Sequence, residues 1–431
     1  LRFIDNIVPK RLSRSTAGAL WIFSERVSSS ALNLLCIAAM TRILGPVAYG
    51  HWAFTLSIIG VLLVAGDLGL EGLLIKKLVE TPERAARLLG TVFTLKIIVY
   101  LPAIAAVLLF VGTSGALSPE ERSLFYIFMI PVILSPLTSS LLAWTNSVSA
   151  FHNAARMRMI SNATGSVAKL SAIFAGFGIV QVGWLHAGMF VLEAAGLLLA
   201  VRLLGGPMPW TWRPEASGFR PLLAQSSYLF SATIFFTLYL GIGTMMLRFY
   251  LGPYEVGTYA LVPQINQALQ FIPYALTLAV FPDLVTSYSE DNDKFYQKIF
   301  FIAKRLLLSS FLVVIFLSVF SLFIFEYIFG PKYHETVYIL LISLFSIPFL
   351  FLRQLTTKLY ICVNNGKMLA MIELSGLVLA VGLNMILVPR YGGMGAISAL
   401  GVVSAFTVIV SFILFDRGRF LRQLSGARLR H

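Results

Sequence analysis

Long apolar runs recur along the chain from Ala17 to Phe415, separated by short polar segments. A membrane-spanning helix needs roughly 20 consecutive, mostly apolar residues, and about twelve such runs are present. They centre near Asn33, Gly60, Leu101, Leu137, Ile173 and Phe190, then Thr233, Gln267, Val314, Phe345, Val378 and Val403. The fifth and sixth runs meet at a tight turn around Gly178-Ile179-Val180-Gln181, and the eleventh and twelfth at another around Pro389-Arg390-Tyr391-Gly392-Gly393. The segments between runs are too short for a soluble catalytic domain. The pattern predicts an all-α polytopic membrane protein with an N-terminal six-helix lobe over 1–204 and a C-terminal one over 220–416. A Pro-rich linker over 205–219 joins them, and a basic tail over 417–431 follows. Gly205-Gly206-Pro207 and Pro209 stop the sixth helix, and Trp210 and Trp212 suit an interfacial anchor.

The two halves echo each other. Leu44-Gly45-Pro46 with Gly50 and Ala53 recurs as Leu251-Gly252-Pro253 with Gly257 and Ala260, each time just after one apolar run and before the next. Six helices separate the copies, and an even number returns the chain to the same side of the membrane. The lobes are therefore read as parallel repeats, related by an axis along the membrane normal. Lys and Arg fall mostly on one set of loops, including Lys76, Lys77, Arg84, Arg87, Arg156, Arg158, Arg213, Lys294, Lys298, Lys304 and Arg305. The tail adds Arg417, Arg419, Arg422, Arg428 and Arg430. The positive-inside bias places these loops, and both termini, in the cytoplasm.

Composition supports that reading. Of the 431 residues 58% are hydrophobic and only 12% charged, against about 25% charged in a soluble chain. The net charge of +14 then belongs to cytoplasmic loops, and no nucleic-acid partner is expected. The basic start (Arg2, Lys10, Arg11, Arg14) resembles a signal peptide, but the apolar run continues past Glu25-Arg26 to Met40, far beyond a signal core. Cys36 and Cys362 lack metal-type spacing and are read as buried apolar fillers. There is no Walker A sequence, no H-E-x-x-H and no Cys/His cluster. No metal or other cofactor is expected, and the chain is not expected to be an enzyme. Glu290-Asp291-Asn292-Asp293 lacks EF-hand spacing and is read as solvated loop.

Ionisable side chains at membrane depth are costly and mark function. Arg26, Ser30 and Asn33 form a stripe on the first helix, with Glu25 about 100° away. Asp67 and Glu71 share a face near the end of the second, and the third carries Lys96. Asn162, Ser166 and Lys169 line the fifth, and His186 and Glu193 the sixth. Gln264, Gln267 and Gln270 row the eighth, Arg353, Gln354 and Lys358 sit on the tenth, and Glu373 and Asn384 on the eleventh. Asp67, Glu71, Lys358 and Arg353 lie towards helix ends, where long side chains can snorkel to the interface; the same alternative stands for Lys96, and His186, near the outer end, has an interfacial alternative. Arg26, Lys96, Lys169 and Arg353 are the candidate substrate-binding cations, suited to an anionic cargo such as pyrophosphate or acidic sugar. Asp67, Glu193 and Glu373 are candidate coupling or charge partners, and Asn33, Gln264 and Gln267 candidate polar lining.

Thr41-Arg42-Ile43-Leu44-Gly45-Pro46 with Tyr49-Gly50, then Gly66-Asp67-Leu68-Gly69-Leu70, resembles the polysaccharide-transporter branch of the multidrug/oligosaccharidyl-lipid/polysaccharide exporter superfamily, which includes the O-antigen (Wzx-like) flippases. The second copy at Gly252-Pro253 and the hairpin Pro389-Arg390-Tyr391-Gly392-Gly393-Met394-Gly395-Ala396 also resemble it. The resemblance implies a twelve-helix, two-lobed fold around a central cavity in the bacterial inner membrane. It implies flipping of an undecaprenyl-pyrophosphate-linked oligosaccharide, an O-antigen, exopolysaccharide or capsule repeat unit, by alternating access. The implied partners are the lipid-linked glycan, membrane lipids, an H+ or Na+ coupling ion, and a polysaccharide polymerase with its chain-length regulator. Three rivals stand beside it. A drug/cation antiporter of the superfamily would want acidic cavity residues. The peptidoglycan-precursor flippases have fourteen helices. A membrane glycan polymerase or ligase typically carries a large periplasmic loop, whereas the longest outer loop here, Gly112 to Arg122, is short.

Overall fold

The computed structural model describes residues 14–290, 292–323 and 325–415. The basic tail, the N-terminal Arg2, Lys10 and Arg11, and Asp291 of the acidic run lie outside the described residues, as do both chain ends. Every regular element among the described residues is helical. Eight segments are long and apolar enough to cross a membrane. Two of these, Ser24–Glu80 and Gly366–Leu414, each contain a non-helical glycine. The expectation of about twelve runs counts the rods on either side of those glycines separately. It also counts Phe151–Phe174, which is long enough but too polar, and the run about Gln267, which falls on Pro253–Leu269 and Phe271–Glu290; neither region is among the eight.

The chain divides into two compact units. One is the chain up to Ile37 with Leu62–Ser227; the other is Ala38–Val61 with the chain from Tyr228 onward.

Helix α1 (Arg14–Asp67) would be about 80 Å long if straight, more than twice the roughly 30 Å hydrocarbon core. Gly45 interrupts it with φ 83° and ψ 177°, a conformation that only glycine adopts readily. Pro46 follows as the first residue of the next rod, where its missing N–H costs nothing. A short α2 (Glu71–Glu80) leads to α3 (Ala85–Thr113). α4 (Pro119–Ser147) opens with a capping box in which Ser118 Oγ accepts from the Glu121 N–H and Glu121 accepts from the Ser118 N–H. α5 (Phe151–Phe174) and α6 (Ile179–Leu203) form a tight pair across Gly176, which has φ 83°. They approach at Gly165, where a Cβ would sit 2.7 Å from Met189 Cβ. Small residues let membrane helices pack this closely.

The stretch after α6 is docked rather than slack. Trp212 packs edge-on against Phe93 of α3 (5.3 Å) and donates from its indole to the Pro207 carbonyl at 3.0 Å. The Arg213 N–H bonds the Ala86 carbonyl, and the Glu215 N–H bonds Thr91 Oγ1. Trp210 is 76% exposed, whereas Trp212 is buried as a strut.

The second unit comprises α7 (Phe219–Tyr250, from Tyr228 onward), α8 (Pro253–Leu269), α9 (Phe271–Glu290), α10 (Asn292–Phe323), the short α11 (Phe325–Phe329), α12 (His334–Ser343), α13 (Ile347–Cys362) and α14 (Gly366–Leu414). α14 doubles back at Gly392. A Cβ on Gly395 would lie 2.3 Å from the Leu387 carbonyl oxygen, and one on Gly376 would lie 2.5 Å from Thr407 Cγ2. Only an antiparallel hairpin brings such pairs together. Its packing core includes Leu284, Phe295, Ile299, Leu306, Leu355, Leu359 and Leu369.

The sequence repeat is also a repeat of conformation. Gly252 has φ 93° and ψ −176°, close to Gly45, and Pro253 opens α8 as Pro46 opens its rod. Within this unit the two copies cross reciprocally. A Cβ on Gly50 would fall 1.8 Å from the Pro253 carbonyl oxygen, and one on Gly257 would fall 1.9 Å from that of Pro46. No side chain fits between backbones that close, so glycine is required at both positions.

Candidate functional site

α5 carries the polar face of the first unit, with Arg158, Asn162, Ser166 and Lys169 at helical spacing. Arg158 sits between two carboxylates from different helices. Its Nη1 is 3.5 Å from Glu25 Oε2 of α1, and its Nε is 3.1 Å from Glu193 Oε1 of α6. Ser29 Oγ supports Glu25 at 3.3 Å, and Asn162 Nδ2 donates to Ser29 Oγ at 3.0 Å. The sequence placed Arg158 among the cytoplasmic loop cations. In the structure it joins three helices, because α5 begins seven residues before it. Glu25 is the buried member of the Glu25-Arg26 pair, and Arg26 is exposed. Asn33 is also exposed.

A second cluster forms where α1 ends. Leu68 and Gly69 both have positive φ (57° and 63°), which turns the chain sharply after Asp67. Gly66 leaves room for the Tyr100 ring, whose nearest atom would lie 2.1 Å from a Cβ there. Lys96 of α3, 1% exposed, sets its Nζ 2.5 Å from Asp67 Oδ1 and donates to Ser139 Oγ of α4 at 2.9 Å. Glu71 feels the charges of Asp67, Lys96, Arg158 and Arg26, so the two clusters belong to one electrostatic neighbourhood within this unit.

Lys169 stands apart. It is 4% exposed, and it has no hydrogen-bond or ion-pair partner among the described residues. Near it are the Cys36 thiol of α1, which donates to the Ser166 carbonyl at 3.7 Å, and the His186 ring of α6. His186 is held edge-on between Phe128 and Phe190, at 5.3 Å each. It is half-buried against these two rings.

In the second unit Arg353 of α13 pairs with Glu373 of α14 through Nε (3.1 Å) and Nη2 (2.9 Å), both to Oε1. The guanidinium lies 3.1 Å above the Phe236 ring of α7. Glu373 is 2% exposed, and its Oε2 has no hydrogen-bond partner. Gln354 donates to Gln270 Oε1 at 3.4 Å, and Lys358 Nζ lies 5.2 Å from the Phe281 ring centre. Gln264 is half-buried and Gln267 exposed; neither joins these contacts.

Of the four candidate cations, two are therefore matched by carboxylates the sequence had also singled out: Lys96 by Asp67 and Arg353 by Glu373. Glu193 answers Arg158 instead. Sequence reading passed over Arg158, Glu25 and Ser139 as partners. The one available signal was the extension of the Asn162-Ser166-Lys169 stripe one turn back to Arg158. Among the described residues no group of three or more His, Cys, Asp or Glu could hold a metal ion.

A family profile described as "Polysaccharide biosynthesis protein" matches residues 15–287. No curated protein sequence matches the chain. Among solved structures, the fold is similar to an inward-facing multidrug resistance MATE family transporter of the MOP superfamily. That match has a TM-score of 0.72 at 16% identity, over 93% of this chain and 96% of the other. It is equally similar to the lipid II flippase MurJ in an inward closed conformation, with TM-score 0.72 at 15% identity, over 96% and 90%. The eukaryotic MATE transporter AtDTX14 matches with TM-score 0.65 at 14% identity, over 96% and 98%.

Proposed function

Because the chain belongs to the polysaccharide biosynthesis protein family, we propose that this multi-pass membrane protein is a flippase. Its cargo is an undecaprenyl-pyrophosphate-linked oligosaccharide, carried across the bacterial inner membrane by alternating access. The observation that carries this reading is Lys169. A buried ammonium without a counter-ion is costly, and the cost is relieved when an anion arrives. Pyrophosphate supplies such an anion at high charge density. Arg158 and Lys96 already face carboxylates, whereas Lys169 has none among the described residues, and it is assigned to the cargo. Arg26, exposed on α1, is assigned a supporting contact to the same kind of anion. Asp67, paired with Lys96, is assigned the coupling proton or sodium ion. A polymerase and a chain-length regulator would act on the flipped product.

The fold neighbours support transport as the class of activity: one is named for multidrug resistance and another for flipping lipid II. The electrostatics favours the lipid-linked anion, because a cationic drug would meet Lys169 as a like charge.

The test is the leaflet accessibility of lipid-linked glycan in membranes of a strain lacking this protein. Glycan confined to the cytoplasmic face, and released by restoring the protein, supports the reading. Lys169→Gln is expected to leave it confined at normal protein level. Absence of accumulation in the deletion strain, with drug sensitivity instead, would replace this function with small-molecule export.

A further inference from the structure

α8 and α9 would be one continuous helix but for Pro273. Proline has no N–H to offer the Leu269 carbonyl, and its ring crowds that carbonyl. The helix breaks at Gln270, whose N–H turns back to the Gln267 carbonyl at 3.1 Å in a tighter turn. Gln270 stays in the right-handed helical region (φ −63°, ψ −12°), so this is a proline kink that redirects the side chains on either side of it. The kink brings the Gln270 side chain to Gln354 of α13. Four residues further along α13, on the same face, stands Lys358.

Lys358 is half-buried and has no hydrogen-bond or ion-pair partner among the described residues. Its ammonium lies beside the half-buried Phe281 ring of α9. Its neighbour Arg353 is occupied by Glu373 and covered by Phe236, so Lys358 is the charge that remains available on this face. The Gln270–Gln354 bond uses one carbonyl and one amide. Gln354 Oε1 and Gln270 Nε2 have no partner among the described residues.

We propose that this seam between α9 and α13 is a saccharide-binding site that selects acidic sugars. The free carbonyl and amide of the glutamine pair provide one acceptor and two donors for sugar hydroxyls. Phe281 offers an apolar ring face to the C–H side of the sugar. The Lys358 ammonium receives a carboxylate and would repel a cationic ligand. The inference rests on the flippase reading and gives it a substrate preference: the repeat unit carries a uronic or similarly acidic residue.

The experiment uses the full chain purified in detergent, with methyl glucuronide and methyl glucoside as probes followed by saturation-transfer NMR. The wild type is expected to prefer the glucuronide roughly tenfold. Lys358→Gln should erase the preference while leaving weak binding of both, and Lys358→Arg should retain it. Gln354→Leu should weaken both probes together. Unchanged thermal unfolding shows that each variant is folded. Equal binding of the two glycosides by the wild type, binding of neither, or an intact preference in Lys358→Gln overturns the site. The leaflet assay separates the two proposals. A chain that flips glycan without glucuronide preference loses only this site, and one that shows the preference but flips nothing loses the flippase reading.

Discussion

Lys96 and Lys169 are both buried lysines inside long helices. What differs is the facing helix. Lys96 meets Asp67 and Ser139, whereas Lys169 meets a thiol and an imidazole set in aromatic packing. Their variants should therefore differ. Asp67→Ala strands the Lys96 charge and is expected to lower thermal stability, and the double variant Asp67→Ala/Lys96→Met should recover much of the loss. Lys169→Met should unfold no earlier than the wild type, because it removes a buried charge that nothing answers. The Arg353–Glu373 pair gives a sharper case. Glu373→Ala leaves a guanidinium buried without a carboxylate, a change that typically costs about 3–5 kcal/mol. An apparent Tm equal to wild type would contradict the role given to that pair.

At the scale of helices, glycine does the shaping. Gly45 and Gly252 turn the chain at matching points, and Gly392 folds α14 into a hairpin. These turns were readable, because Gly-Pro between apolar runs has few other uses in a membrane helix. The role of Gly50 and Gly257 was not. The sequence marked them as repeat positions, but their reciprocal approach to Pro253 and Pro46 depends on two segments far apart in the chain crossing backbone to backbone. Gly50→Ala or Gly257→Ala forces a methyl group into a carbonyl oxygen. Overpacking of this kind costs about 1–3 kcal/mol or more, and a drop in apparent Tm is expected for each. α5 shows the reverse. Its polarity keeps it below the hydropathy of a spanning segment, and that polarity is what supplies the Arg158 cluster and Lys169.

At the scale of the whole molecule, composition and hydropathy already imposed a multi-pass helical protein, and the family match and the fold agree with it. The grouping of the chain was less legible. Residues 38–61 cluster with the second unit although their sequence neighbours on both sides belong to the first. Coupling is a property at this scale. In proteoliposomes, Asp67→Asn is expected to abolish gradient-driven glycan flux, and retained flux would remove Asp67 from the coupling step.

The chain's own order of residues determined the membrane setting, the helical class, the glycine turns and the stripe of polar groups on α5. These follow from local chemistry: apolar length sets a span, glycine permits positive φ, and helical spacing defines a face. Tertiary structure decided which charges are matched. Asp67 with Lys96, Glu25 and Glu193 with Arg158, and Arg353 with Glu373 each join residues from different helices. Periodicity shows which side chains share a face, but not which face of another helix turns toward them. Only packing brings opposite charges within about 3 Å, where they neutralise each other, and only packing leaves Lys169 and Lys358 without a carboxylate.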